Sequence, residues 1–187
     1  LLMSPLTFLA RPIRWLEAIS RYHGTVSAAP NFAYDLCTTR IPDEDLAGID
    51  LSSARALLNG SETVSPNTLT AFTERFAPYG LTDSAIVPVY GLAENSVALT
   101  VPTIGTPPHV DAVQRDLFQE TGTAIPTKHN DKTALRFVSC GHSVPQHEIA
   151  VVDESGKRLP DRQQGHIIFR GPSATSSYFR NEEATRQ

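Results

Sequence analysis

Long apolar runs are missing from this sequence. No stretch approaches the ~20 consecutive apolar residues that a membrane-spanning helix needs. The opening residues Leu1, Leu2, Met3, Ser4 and Pro5 carry no basic segment of the kind that begins a secretory signal. Both absences lead us to expect a soluble protein with no transmembrane segment. Cysteine is scarce: Cys37 and Cys140 lie far apart, without metal-type spacing, which fits a reduced cytoplasmic setting and two structural thiols. No run of like charge, low-complexity tract or internal repeat occurs, so global disorder does not describe the chain. The 16 Lys and Arg against 20 Asp and Glu leave a net charge of -4, and the basic residues are scattered. That distribution argues against nucleic acid or a membrane surface as partner.

What is there suits one ordinary domain or two small subdomains. The 187 residues, 40% hydrophobic and 19% charged, can bury roughly 70% of the unfolded surface. Trp15, Leu16, Ile19 and Tyr22 recur at helical spacing behind Pro12, predicting an amphipathic helix over 11–22 that Gly24 stops. A small-residue strand over 25–29 follows and ends at Pro30. A second round has a strand over 54–58, the loop Asn59, Gly60, Ser61, Glu62, and a helix capped by Ser65 and Pro66 that carries Leu69, Phe72 and Phe76 and closes at Gly80. A third strand over 85–89 contains Pro88, which weakens interior pairing, and runs into Tyr90, Gly91, Leu92, Ala93, Glu94.

This alternation is the pattern of an open parallel α/β sheet, whose ligands collect at the carboxyl ends of the strands. Beyond Ser96 the chain turns β-rich. Strands over 96–101 and 135–139 flank a long stretch, 102–134, that is helical only at 113–118 and reads as a binding element or an insertion. A hairpin joins 148–153 to 157–159, another strand covers 165–170, and Asn181 caps a helix start. The expected organisation is therefore an α/β subdomain over 1–100, an insertion-like segment over 101–134 and a β-rich subdomain over 135–187. Trp15, Phe72, Phe76 and Phe137 are assigned to the core.

The two strand-end loops, 59–62 and 90–94, put small residues and a carboxylate where a parallel sheet exposes them. Glycine permits close ligand approach, Tyr90 offers a stacking face, and a carboxylate can hold the Mg²⁺ that accompanies ATP. Equally, Gly60 and Gly91 read as turn glycines, Tyr90 as half-buried packing, and Glu62 and Glu94 as solvated helix-start carboxylates. Two other signals are set aside. Gly141, His142, Ser143 and Val144 begin like a nucleophile elbow, but Pro145 stands where its second glycine belongs. Cys140, His142 and His147 lack a second ligand pair at zinc spacing.

Four stretches together resemble the adenylate-forming ligase superfamily, in particular its fatty acyl-AMP ligases and the related fatty acyl-CoA synthetases. They are Ser4 through Cys37, Asn59 to Glu62, Tyr90 to Glu94, and Gly165 through Thr185 with its Ser177-Tyr178 pair. The resemblance implies an internal piece of the large N-terminal domain of an enzyme that uses ATP and Mg²⁺ to convert a fatty acid to acyl-AMP. The acyl group would then pass to an acyl carrier protein or CoA. It implies that Asn59, Gly60, Ser61 and Glu62, with Tyr90, Gly91, Leu92 and Ala93, hold the nucleotide. Glu94 would serve the metal, and Ala28, Ala29, Pro30, Asn31 and Phe32 would line the acyl tunnel. Ala93 stands where many superfamily members have a phosphate-binding Thr, and the long segment before Val138 is similar to the insertion of fatty acyl-AMP ligases. The Lys-containing phosphate loop, the Thr-Gly-Asp motif and the C-terminal catalytic Lys do not occur in the chain. The resemblance places them before Leu1 and after Gln187, so the piece alone is expected to be inactive. A nucleotide- or acyl-binding module, or a structural one, without turnover is the alternative.

Overall fold

Helices α1 (Pro5–Ala10) and α2 (Ile13–Tyr22) lead into the first strand in a computed structural model that describes residues 1–186. Pro5 sits in the first turn of α1, where the N–H it lacks would have no partner anyway. His23 adopts the left-handed conformation that ends α2, and Ile13, Trp15, Leu16 and Ile19 form its buried face. Then come β1 (Val26–Ala29), α3 (Asn31–Arg40), β2 (Ala56–Asn59), α4 (Pro66–Phe76) and β3 (Ile86–Pro88). The strands form a parallel sheet in the order β1-β2-β3. With two consecutive crossovers of one hand, α3 and α4 fall on the same face, and they pack on each other.

The core of this first unit (Leu1–Val89, Pro102–Val110 and Phe137–Gly141) is organised by aromatic rings. Trp15 meets Tyr34 edge-on at 5.2 Å between centroids, Tyr34 meets Phe72 at 4.9 Å and Phe72 meets Phe76 at 4.7 Å. The polar tips are paired within the core: the Trp15 indole donates to Ser27 Oγ, and the Tyr34 hydroxyl donates to the Leu58 carbonyl of β2. Burial raises the Tyr34 phenol far above its ordinary pKa, with the nearby Cys37 adding to the shift. Helix α4 starts on Ser65, whose hydroxyl accepts from the Thr68 N–H.

Two elements differ from expectation. The sequence pattern gave no helix over 31–40, yet α3 is there: both of its ends are bonded by residues outside it. Arg75 of α4 donates to the carbonyls of Thr38 and Ile41 and pairs with Asp43 at 2.8 Å. At the other end, the Phe32 N–H donates to the Glu62 carboxylate at 2.7 Å. Pro88 stands opposite Asn59, and the Val89 N–H bonds the Asn59 carbonyl at 2.8 Å, so the parallel ladder to β2 runs through the residue after the proline and draws on no donor at Pro88.

The second unit (Tyr90–Val101, Asp111–Arg136 and His142–Gln187) is described through residue 186. The elements that complete the chain are β4 (Tyr90–Gly91), β5 (Ala98–Val101), β6 (Val110–Val113), α5 (Arg115–Thr121), β7 (Leu135–Val138), β8 (His142–Ser143), β9 (Glu148–Val152), β10 (His166–Arg170) and α6 (Glu182–Arg186). Antiparallel β4-β5-β8 and β9-β10 ladders form, and β6 pairs with β7. The helix expected over 113–118 begins at Arg115 instead, because Val113 is fully buried in β6. The segment 114–134 is pinned by side chains. Arg115 donates to the carbonyls of Thr133 and Ala134, Arg162 bonds Asp111 and the Ala124 carbonyl, and Asp131 gathers Thr127 and Thr133. Phe137, assigned to the core from sequence, lies on a strand but remains 43% exposed. Its neighbour Arg136 is exposed as well, so the middle of this strand is left uncovered on both faces. No helix among the described residues is long and apolar enough to cross a membrane.

Because Phe72 is completely buried among three rings, Phe72→Ala should lower stability in urea unfolding by about 3–5 kcal/mol. Loss of the Ser65 cap in Ser65→Ala should cost about 1 kcal/mol. Equal effects of the two substitutions would remove the aromatic cluster from its organising role.

Candidate functional site

The expected nucleotide and acyl residues of the first unit come together at the carboxyl ends of β1 and β2. Parallel pairing sets Ala28 opposite Leu58 and Ala29 opposite Asn59, and Pro30 turns the chain into α3. Asn59 is fully buried, so in this conformation its side chain is committed to the protein. Its Nδ2 donates to Asn31 Oδ1 at 3.4 Å, and its own Oδ1 is buried without a partner. Asn31 Oδ1 also accepts from the Ser65 N–H, and Asn31 Nδ2 donates to Thr68 Oγ1. Gly60 is required by close approach: a Cβ there would stand 2.8 Å from both the carbonyl oxygen and a methyl of Val89. Ser61 takes a left-handed φ of 70°, an unfavourable conformation that a serine tolerates in a tight turn. Glu62 does not stand free in the loop, since its Oε1 accepts from Phe32.

The second unit carries Tyr90, Gly91, Leu92, Ala93 and Glu94. Tyr90 lies opposite Thr100 and Gly91 opposite Ala98, with an irregularity in the register between them. Any side chain at Gly91 would collide with the Val97 carbonyl. The irregularity leaves the Tyr90 ring 36% exposed at a strand end. Ala93–Asn95 is a single 3₁₀ turn that holds Glu94 at the surface.

Ser173 and the Ser177-Tyr178 pair enter the family resemblance without a role, and Asn95 and Thr175 carry no signal in the sequence; the structure gathers Asn95, Ser173, Thr175 and Tyr178 around Glu94. The Tyr178 hydroxyl donates to Glu94 Oε1 at 2.6 Å, and the Thr175 N–H donates to the Glu94 carbonyl at 2.7 Å. Asn95, 1% exposed, donates from Nδ2 to the Ala98 carbonyl and accepts at Oδ1 from Ser173 Oγ. His147 Nε2 lies 2.7 Å from the same hydroxyl, and its Nδ1 lies 2.9 Å from the Pro145 carbonyl. The local sequence offers no signal for the bonds of Tyr178, Thr175 and Ser173, because each spans more than twenty residues of the chain. The hydrogen bond from Tyr178 is the chief cause that holds the Glu94 carboxyl below the usual carboxylate range, and it pushes the Tyr178 phenol up.

No group of three or more His, Cys, Asp or Glu side chains able to hold a metal forms among the described residues. A cation at Glu94 would therefore be held by one carboxylate together with ligand phosphates and water. That is how Mg²⁺ is commonly bound beside nucleotides. Glu94 fits that use: it stays ionised, and Tyr178 engages one of its two oxygens. The thiols offer no comparable chemistry. Burial pushes Cys37 up to about 12 and also raises Cys140, which leaves both largely protonated near neutrality.

The family described as AMP-binding enzyme matches residues 1–179. Among curated proteins, the 4-hydroxyphenylalkanoate adenylyltransferase of Mycobacterium marinum is 36% identical over 188 residues, which is 100% of this chain and 30% of the relative. The long-chain-fatty-acid–AMP ligase FadD26 of Mycobacterium tuberculosis is also 36% identical over 188 residues, 100% of this chain and 32% of the relative. A solved fatty acyl-adenylate ligase from L. pneumophila, in complex with acyl adenylate and pyrophosphate, superposes with a TM-score of 0.92 at 32% identity. It covers 98% of this chain and 32% of that one. The chain thus spans about a third of the length of the curated relatives it matches.

Because Glu94 is held ionised by the Tyr178 hydroxyl, the link persists above the ordinary carboxylate range and is lost as pH falls through the lowered folded-state value. Tyr178→Phe should move the Glu94 titration midpoint upward, measured by NMR of the carboxyl carbon. A midpoint that does not respond would mean that the two side chains are not bonded in solution.

Proposed function

The chain belongs to the AMP-binding enzyme family, and on that premise we propose that it carries adenine- and acyl-binding elements of an ATP-dependent ligase that activates a fatty acid as acyl-AMP. The observation that carries this reading is the loop at the end of β4. An exposed aromatic ring, Tyr90, stands four residues before a carboxylate, Glu94, that Tyr178 keeps ionised. The names of the relatives agree with it: a fatty-acid–AMP ligase and a fatty acyl-adenylate ligase are both matched over nearly the whole chain.

In the proposed reaction an oxygen of the fatty-acid carboxylate attacks the α-phosphorus of ATP. The new O–P bond gives acyl-AMP, and the bond to the β-phosphate breaks to release pyrophosphate. In the second unit the flat face of Tyr90 stacks on the adenine, and in the first unit the backbone of Gly60 and Ser61, which glycine keeps low, contacts the nucleotide. Leu92 and Ala93 shape the loop that follows Tyr90, and Ala93 contributes no hydroxyl to the α-phosphate. Glu94 would hold Mg²⁺, which when bound neutralises charge building on the phosphate oxygens. Of the acyl-side residues Ala28, Ala29, Pro30, Asn31 and Phe32, all but Asn31 present small or apolar side chains to the acyl chain, and the Asn31 amide is engaged by Asn59, Ser65 and Thr68. Transfer of the acyl group to an acyl carrier protein or CoA completes the proposal.

Calorimetric titration with AMP, and separately with a non-hydrolysable acyl-AMP mimic, tests the reading. Both should bind, and Tyr90→Ala should weaken each about fivefold or more, since base–aromatic stacking is worth about 1–3 kcal/mol. Glu94→Gln should leave AMP binding unchanged and reduce the Mg²⁺ dependence of ATP binding. A folded wild-type chain that binds neither ligand would support a structural module instead.

A further inference from the structure

The start of α3 is tied to the loop after β2 by two adjacent residues. Asn31 engages Asn59, Ser65 and Thr68 through both of its amide atoms. The Phe32 N–H donates to Glu62. The helix has no cap of its own, because Pro30 occupies the cap position and no side chain there accepts a hydrogen bond. Phe32 N–H is one of the first-turn donors that lack an intrahelical acceptor, and a carboxylate is the favoured acceptor at the positive end of a helix dipole. Glu62 is exposed and placed next to Gly60 and Ser61, where its charge alone would suggest a contact to ligand or metal.

We infer that Glu62 is a positioning residue rather than a ligand contact. Its carboxylate fastens the acyl-side segment 28–32 to the nucleotide-side loop 59–62, so that occupancy of one is felt by the other. This rests on the proposed assignment of those two segments. The backbone turn 59–62 is fixed independently by the close packing of Gly60 on Val89 and by the Val89 N–H bond to Asn59. Loss of Glu62 therefore releases the Phe32 N–H and loosens the start of α3, which Asn31 still holds, and leaves the nucleotide side in place. Within one wall, binding of an acyl adenylate uses both halves, whereas AMP uses one.

The test compares the wild-type protein with two variants, Glu62→Ala and Glu62→Gln, the second of which keeps an acceptor oxygen. Titration with AMP and with a non-hydrolysable acyl-AMP mimic should show the mimic weakened about tenfold in Glu62→Ala, as expected for loss of a charge-assisted hydrogen bond that orders the wall. AMP should change less than about twofold, and Glu62→Gln should recover most of the loss. Amide exchange at Phe32, read without ligand, should be slow in wild type and Glu62→Gln and fast in Glu62→Ala. Equal weakening of AMP and mimic would make Glu62 a direct nucleotide contact and overturn the inference, as would unchanged exchange at Phe32. Wild-type protein that binds neither ligand overturns the functional reading and the coupling with it, and the Phe32 exchange separates that failure from a failure of the anchor itself.

Discussion

Helix ends leave N–H and C=O groups unpaired, and α3 can satisfy few of them from its own sequence. Glu62 takes a donor at its N-terminus, and Arg75 bonds two carbonyls at its C-terminal end. The charges have the sign that the helix dipole favours at each end. Both residues belong to the following strand–helix unit, one just after β2 and one in the last turn of α4. The positions of α3, β2 and α4 are consequently set together, and the aromatic cluster fills the space they enclose. Tyr34 joins the two kinds of constraint, with its ring against Trp15 and Phe72 and its hydroxyl on the Leu58 carbonyl.

The second unit solves a comparable problem by different means. A short 3₁₀ turn has little internal bonding, yet Ala93–Asn95 must hold a surface carboxylate steady. The segment 173–178 does this from outside. It reaches Asn95 through Ser173, the Glu94 backbone through Thr175 and the Glu94 side chain through Tyr178. His147 secures Ser173 in turn, and its ring fills the space beside Gly171 that a side chain there would need. The carboxylate is thereby positioned by residues that come about eighty positions later in the chain.

The mixed α/β architecture was legible wherever the signals were local. Helix α2 shows in the spacing of Trp15, Leu16 and Ile19, helix α4 in Ser65 and Pro66, and the strands in their short apolar runs. Helix α3 was not legible, because its apolar residues Phe32, Ala33, Tyr34 and Cys37 make no simple stripe and its end-bonding groups lie at positions 62 and 75. Phe137 illustrates a second limit: pattern gives strand membership, but which face of a strand is covered depends on what packs there. The family resemblance located the loops 59–62 and 90–94, and no local pattern could have shown that Glu62 is engaged by Phe32 or Glu94 by Tyr178. Those pairings join residues thirty and eighty-four positions apart.

The external capping of α3 also orders events during synthesis. A ribosome delivers residues 31–40 before it has made Glu62 or Arg75, and an isolated helix of ten residues is marginal in water. At roughly 5–20 residues per second, the segment emerges seconds ahead of the groups that stabilise its ends. In that interval Tyr34 has Trp15 of α2 to meet, but neither Phe72 nor the Leu58 carbonyl that completes its site. The nascent chain therefore gains this helix late, in one cooperative step with the strand and helix that follow it, and until then it offers an apolar stretch to whatever chaperone stands at the exit.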